Sequence, residues 1–169
     1  NDPEATNSTI INGWVHTGDI GEFDDDQYLK ITDRKKDIIV NAGGDNISPS
    51  RVEEKLNIEP EISQSMIYGD FKNYLVAIIV PDKDQALIWA KKNNKDSDIK
   101  SLIKDKGFIS MMKEVTAKVN TKLSAVEQVR KFILIDQEFT IENNMMTPTM
   151  KVKRFKVKDI YGDQLENLY

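Results

Sequence analysis

The apolar positions along this chain change period several times, and each change marks an element. Leu75-Val76-Ala77-Ile78-Ile79-Val80 is apolar at every position, which predicts a strand covered on both faces and central in its sheet. Ile62 to Tyr68 predicts its neighbour across the turn Gly69–Asn73, Lys131 to Asp136 predicts a further strand, and Pro81-Asp82 stops the central one. Helical spacing takes over elsewhere. Val52 and Leu56 stand at i, i+4 in a helix from Pro49 to about Asn57, with Ser48 as its N-cap and Pro49 in the first helical position. Two more helices are predicted from about Asp84 to Asn93 and, shorter, from Asp98 to Lys104. The longest runs from Phe108 to Leu123, with Met112, Val115, Val119 and Leu123 on one face. After about Val152 a stripe of Val157, Ile160, Tyr161, Leu165 and Leu168 predicts a last helix, although Gly162 costs it about 1 kcal/mol. Gln137 to Met150 shows little periodicity and reads as loop.

The front of the chain is different. Residues 1–12 are polar and weakly patterned, which predicts loop, and Gly13 to Asp19 gives a short strand ending in a turn. Ile20 to Thr32 reads as a hairpin whose tip is Asp24-Asp25-Asp26-Gln27. Five consecutive charges, Asp33-Arg34-Lys35-Lys36-Asp37, then predict an exposed joint. The β-branched run Ile38-Ile39-Val40 and the turn Asn41-Ala42-Gly43-Gly44-Asp45-Asn46 follow as a second hairpin. The pattern as a whole predicts an α+β fold: a small mixed sheet of three or more strands covered by helices, preceded by a hinge hairpin and about 35 residues of other β structure.

Composition narrows the chemistry. A chain of 169 residues with 39% hydrophobic content can bury one ordinary core, so one domain plus a flanking piece is expected. There is no Cys, which removes disulfides, thiol nucleophiles and thiolate metal sites, and His16 alone cannot build a histidine-rich zinc site. No apolar run approaches the roughly 18–20 residues of a membrane span and no signal peptide opens the chain, so a cytoplasmic protein is expected. The opening Asn-Asp-Pro, without an initiator Met, is expected of a piece cut from something longer. The net charge of −4 hides an asymmetry: 8 Lys/Arg against 17 Asp/Glu in residues 1–84, but 16 against 11 in residues 85–169. The basic half suits an anion such as a phosphate, a nucleotide or a lipid head group, or is simply solvated.

Two stretches carry candidate chemistry. In Trp14-Val15-His16-Thr17-Gly18-Asp19, Gly18 permits a sharp turn and Asp19 presents a carboxylate from a strand end, where it can accept both hydroxyls of a ribose or merely cap the turn. Met146-Thr147-Pro148-Thr149-Met150-Lys151-Val152-Lys153-Arg154 is a basic stretch after a loop, and its bland reading is a row of helix-surface charges. These stretches, with GWVHTGDIGEF, YLKITDRKKDIIVNAGGDNISPSRVE, KFILID and FTIENNMMTPTMKVKR in the right order and spacing, resemble one end of the adenylate-forming acyl-activating enzymes, the long-chain fatty acyl-CoA synthetase branch in particular.

The resemblance implies a division at residues 1–35, the tail of a large N-terminal adenylation domain, and 36–169, a mobile C-terminal lid. It implies ATP, Mg²⁺ held mainly by the large domain, and coenzyme A as cofactors, with a fatty acid as substrate. Asp19 and Arg34 match nucleotide-binding positions, Lys36 matches the hinge, and Gly43 and Gly44 match a turn lying against the pantetheine arm. A narrow channel needs close backbone approach there, which glycine allows. Lys151 matches the catalytic lysine, with Met150 where many relatives have Gly; Asp45 stands where relatives place a basic residue. Lys153, Arg154, Lys156 and Lys158 are expected to be surface charges. The fragment lacks the phosphate loop and acyl pocket, so it is expected to be inactive alone. Its partners would be its own adenylation domain and the fatty acid, with peripheral membrane contact allowed for the whole enzyme. Two alternatives are a ligase for another carboxylic acid and a stand-alone interaction domain. A nucleic-acid surface is disfavoured because Phe155 is the single aromatic in the basic cluster.

Overall fold

The computed structural model describes residues 2–169, and the chain divides into two compact units, residues 1–38 and 39–169. The first unit opens with a helix, α1 (Pro3–Thr9), where loop is expected. Its signal is local: Asp2 accepts the amide of Ala5 as N-cap and Pro3 fills the first helical position. Antiparallel pairs follow, β1 (Ile10–Ile11) with β2 (Trp14–Val15), then β3 (Asp19–Phe23) with β4 (Leu29–Arg34) as the predicted hairpin. Among the described residues of this unit no apolar side chain is fully buried; Trp14, Phe23, Tyr28 and Leu29 are all exposed. The predicted exposed joint needs one correction. Asp33 is buried, and its carboxylate accepts the Arg34 amide at 2.8 Å, whereas Arg34, Lys35 and Lys36 are exposed.

The second unit holds the core. It begins with the hairpin β5 (Ile39–Val40) and β6 (Asn46–Ile47), then α2 (Pro49–Asn57), where Ser48 accepts the Arg51 amide as predicted. β7 (Ile62–Tyr68) runs antiparallel to β8 (Leu75–Pro81). After α3 (Lys83–Lys92), α4 (Ile99–Leu102) and α5 (Lys106–Asn120), β9 (Val129–Leu134) returns parallel to β8, and α6 (Arg154–Glu166) ends the fold. The strand order β7-β8-β9 puts the all-apolar strand in the centre. β8 runs one residue past its predicted stop: Pro81 still pairs with Ile62 at the strand's last position.

Side-chain alternation along β8 builds two apolar layers. Leu75, Ala77 and Ile79 pack with Val52 and Leu56 of α2 and Phe108, Met112, Val115 and Val119 of α5. Val76, Ile78 and Val80 pack on the other side with Phe139, Met145 and Met146 of the loop and Val157, Tyr161 and Leu165 of α6. The fold is therefore a mixed α+β sheet with helices on both faces. One predicted core residue is misplaced: Ile160 is 52% exposed, because α6 meets the sheet along a stripe of i, i+4, i+8 only one residue wide. No described helix is long and apolar enough to cross a membrane.

Candidate functional site

The candidate residues lie at three places. In the first unit, Asp19 opens β3 opposite Arg34, the last residue of β4. Gly18 reaches Asp19 through a left-handed φ of 74°, its carbonyl accepts the Lys35 amide at 2.8 Å, and Thr17 Oγ1 accepts the Asp19 amide. The strand register thus brings together two residues 15 apart in sequence: Arg34 Nε lies 3.1 Å from Asp19 Oδ1. Both side chains stay open to solvent, so a carboxylate acceptor and a guanidinium donor are presented side by side. Lys36 sits in the following turn, where the Asp37 amide bonds the Arg34 carbonyl.

In the second unit, Gly43 and Gly44 form the tip of the β5–β6 hairpin. Asn41 and Asp45 clamp it from both sides: the Asn41 carboxamide donates to Asp45 Oδ2 at 2.9 Å, and its oxygen accepts the Asp45 amide at 2.9 Å. The acid at position 45 therefore serves the turn itself. Gly44 has φ 85°, a conformation that favours glycine, and a Cβ on Gly43 would touch Asn41 Oδ1 at 3.3 Å and Asp45 Oδ2 at 3.4 Å. The hairpin is docked on the β7–β8 turn through Ala42 N–H to the Lys72 carbonyl and Phe71 N–H to the Val40 carbonyl.

Lys151 is exposed at the end of a tight turn, Thr147-Pro148-Thr149-Met150. The Met150 amide closes it on the Thr147 carbonyl at 2.9 Å, with Pro148 in the second position, which favours Pro. The Lys151 amide donates to Thr147 Oγ1, and Met146 bridges Val152 beneath the turn. Met150 holds φ 60°, the conformation for which glycine is suited. The preceding loop has no regular structure yet is firmly tied. Gln64 exchanges two hydrogen bonds with the backbone of Phe139, and Asn143 accepts the amides of Thr140 and Met145. The side chain of Lys151 is thus presented from a rigid base.

Two residues assigned to the solvated face are engaged instead. The Lys153 ammonium donates to Asn144 Oδ1 and its amide to the Met145 carbonyl. Arg154 pairs with Glu53 of α2 and bonds the Ile67 carbonyl. Glu53 was not identifiable from the sequence; it lies 101 residues from its partner. Among the described residues no group of three His, Asp or Glu converges in a way that could hold a metal.

The fold has counterparts. An adenylation domain of a carboxylate reductase from Mycobacterium chelonae superposes with a TM-score of 0.83 at 27% identity, over 99% of this chain and 25% of that one. The adenylation domain of a carboxylic acid reductase from Segniliparus rugosus, solved with AMP and a co-purified carboxylic acid, gives 0.80 at 28%, with the same coverage. The architecture is thus shared with about a quarter of each of these adenylation domains. Residues 36–169 match the model of the AMP-binding enzyme C-terminal domain, and the chain belongs to that family. Among its relatives are the long-chain-fatty-acid–CoA ligase FadD15 of Mycobacterium tuberculosis, 36% identical over 98% of this chain, and long-chain-fatty-acid–CoA ligase 1 of Homo sapiens, 33% identical over 99%. The chain spans 28% and 25% of their respective lengths.

Proposed function

We propose that this chain is the lid portion of an ATP-dependent fatty acid–CoA ligase, with residues 1–35 completing a large adenylation domain and 36–169 swinging about Lys36. The observation that carries the reading is Lys151, an exposed ammonium on a pinned turn, in a chain that aligns over nearly its whole length with fatty-acid–CoA ligases. In the first half-reaction a carboxylate oxygen attacks the α-phosphorus of ATP and pyrophosphate leaves. Negative charge grows where the two meet, and an ammonium bridging both oxygens lowers the barrier, an effect commonly worth a few kcal/mol. Asp19 accepts the ribose hydroxyls and Arg34 supports the same nucleotide. Mg²⁺ would be held mainly by residues of the large domain, where it would counter the triphosphate charge. In the second half-reaction the coenzyme A thiol attacks the acyl carbonyl, loses its proton and expels AMP, with the Gly43–Gly44 tip lining the pantetheine channel. The acyl pocket is assigned to the large domain, so this chain alone is expected to complete neither step.

The exposed apolar side chains of residues 2–38 support the same reading. A two-stranded hairpin without a covered face is marginal by itself, so Trp14, Phe23, Leu29 and Ile31 call for a sheet that covers them. The test is half-reaction kinetics on the whole enzyme. Lys151→Ala lowers acyl-adenylate formation by about 10²-fold or more, the scale of losing one preorganised partner. With acyl-adenylate and coenzyme A supplied, the same variant makes thioester at near the normal rate, while Gly43→Leu shows the reverse. Lys156→Ala, whose ammonium meets Asp159 at 3.6 Å and the neighbouring Phe155 ring, changes neither step. Equal behaviour of Lys151→Ala and Lys156→Ala would sink the assignment, and pyrophosphate release across a panel of carboxylic acids defines the substrate.

A further inference from the structure

Arg154, the first residue of α6, reaches back into the fold. Its Nη2 lies 2.5 Å from Glu53 Oε2, and its Nη1 donates to the Ile67 carbonyl at 3.3 Å. The second oxygen of Glu53 accepts the Ile67 amide at 2.8 Å. The two side chains are only 24% and 12% exposed. β7 is an outer strand of the sheet, so a residue whose N–H and C=O point outward has no strand beside it. Glu53 and Arg154 together satisfy both groups of Ile67 and close that edge as a neighbouring strand would. The guanidinium fork serves the carboxylate and the carbonyl through two separate nitrogens held in one plane, a fixed geometry that a lysine ammonium does not supply.

What the pair connects is the point. Glu53 stands in the second turn of α2, the helix that leaves the Gly43–Gly44 hairpin through β6 and Ser48. Arg154 stands three residues after Lys151, where the lysine turn enters α6. The hairpin side is independently secured, because Val52 and Leu56 are fully buried and Ala42 is bonded to Lys72. The loop before the lysine turn is anchored by the buried Met145 and Met146 and by the Met146 amide on the Thr140 carbonyl; the chain after Lys151 is held by the Met146–Val152 bridge, by Lys153 to Met145 and Asn144, and by this pair.

We infer that Glu53 and Arg154 are positioning residues that hold the Lys151 turn in fixed register with the body carrying the Gly43–Gly44 hairpin. The inference rests on the reading of Lys151 given above. Neither residue touches substrate; they act through where the ammonium ends up, and misplacement by about 1 Å can cost on the order of 10²-fold in rate.

The test uses the whole enzyme with Arg154→Lys, Glu53→Gln and, as yardstick, Lys151→Ala. Each is assayed for adenylate formation, for thioester formation from supplied adenylate, and for amide exchange at Met150 and Lys151. Arg154→Lys keeps the charge and loses the fork. It is expected to lower kcat for adenylation by about 10- to 100-fold. The KM for ATP and the thioester rate stay within about twofold, and exchange at the two amides rises at least about tenfold as the turn loosens. Glu53→Gln keeps shape and one acceptor, shows the same pattern, and decides the matter if Arg154→Lys does not fold. Wild-type adenylation with unchanged exchange in a folded variant overturns the inference. So does an equal loss in both half-reactions, which reports general loosening of the domain. If Lys151→Ala leaves adenylation intact, the role of the lysine falls, while the exchange data still judge whether the pair holds the turn.

Discussion

Met150 concentrates the residue-scale physics of the lysine turn. Its φ of 60° is left-handed, a conformation that costs a residue with a β-carbon about 1 kcal/mol and a β-branched one more. The turn closes on its amide, so the conformation cannot relax without releasing Lys151. Met150→Gly removes the strain but adds freedom to the unfolded chain, and the two effects are of similar size. We expect a change in unfolding free energy within about 0.5 kcal/mol and unimpaired adenylation. Met150→Val is expected to cost about 1 kcal/mol or more and to weaken adenylation, since a stiff side chain has to sit in the left-handed region. Denaturant unfolding of both variants checks the pair; a Val variant as stable as the Gly variant would remove strain from the account of this loop.

At the scale of elements, the joint between the α2–β7 connection and α5 is ionic. Glu59 is buried, and its two oxygens take Lys118 at 2.6 Å and Lys122 at 3.2 Å. The hydrogen bond from Lys118 holds its carboxyl below the usual range; burial opposes this, and Lys122 adds to it. A carboxyl depressed in the folded state contributes stability that is complete above its unfolded value of about 4.3 and fades as pH falls through the folded one. Thermal midpoints should therefore drop on acidification below about pH 4.5, and Glu59→Gln should flatten that acid limb while lowering stability at neutral pH. An acid limb identical in both proteins would remove Glu59 from the account. These contacts were not legible in the sequence, for the same reason that hid Glu53 and Arg154: each joins positions far apart in the chain. What was legible is local or periodic. The unbroken apolar run of β8 announced a central strand, and Ser48-Pro49 announced the start of α2. The short polar α1 leaves little trace in the sequence, because seven residues without an apolar face give no period and Asp2-Pro3 is a purely local mark. The stripe through Ile160 is wider in the sequence than in the fold, since spacing shows which residues share a face but not how much of it the sheet covers. Nothing in the sequence shows Asp19 and Arg34 in contact; the hairpin register brings them together.

At the scale of the whole molecule, stability and site are unevenly distributed. The buried apolar side chains among the described residues begin at Ile39 and belong to the two layers around β8. Residues 2–38 carry the Asp19–Arg34 pair but no buried apolar cluster of their own. Cooperative unfolding follows buried apolar area, at roughly 25 cal/mol per Å², so removing the first segment should cost the second little. A chain lacking residues 1–33 is expected to unfold in one transition, with its midpoint within a few degrees of that of the 169-residue chain. In the longer chain, limited proteolysis should cut first near Asp33–Asp37. Lys35 and Lys36 are exposed there in a turn, and a cleavable backbone has to be free to enter a protease. The strand Leu75–Pro81, fully buried between two layers, should be cut only after global unfolding. Lys36→Pro probes the same joint without cutting it. It sets φ at the second inner position of the Arg34–Asp37 turn, where proline is disfavoured, while leaving the core layers intact. If residues 36–169 swing about Lys36 as proposed, the expected result is an unchanged midpoint with one half-reaction slowed far more than the other. Equal slowing of both in a well-folded variant would deny Lys36 the pivot, and a first proteolytic cut inside Leu75–Pro81 would overturn the division of stability on which the pivot depends.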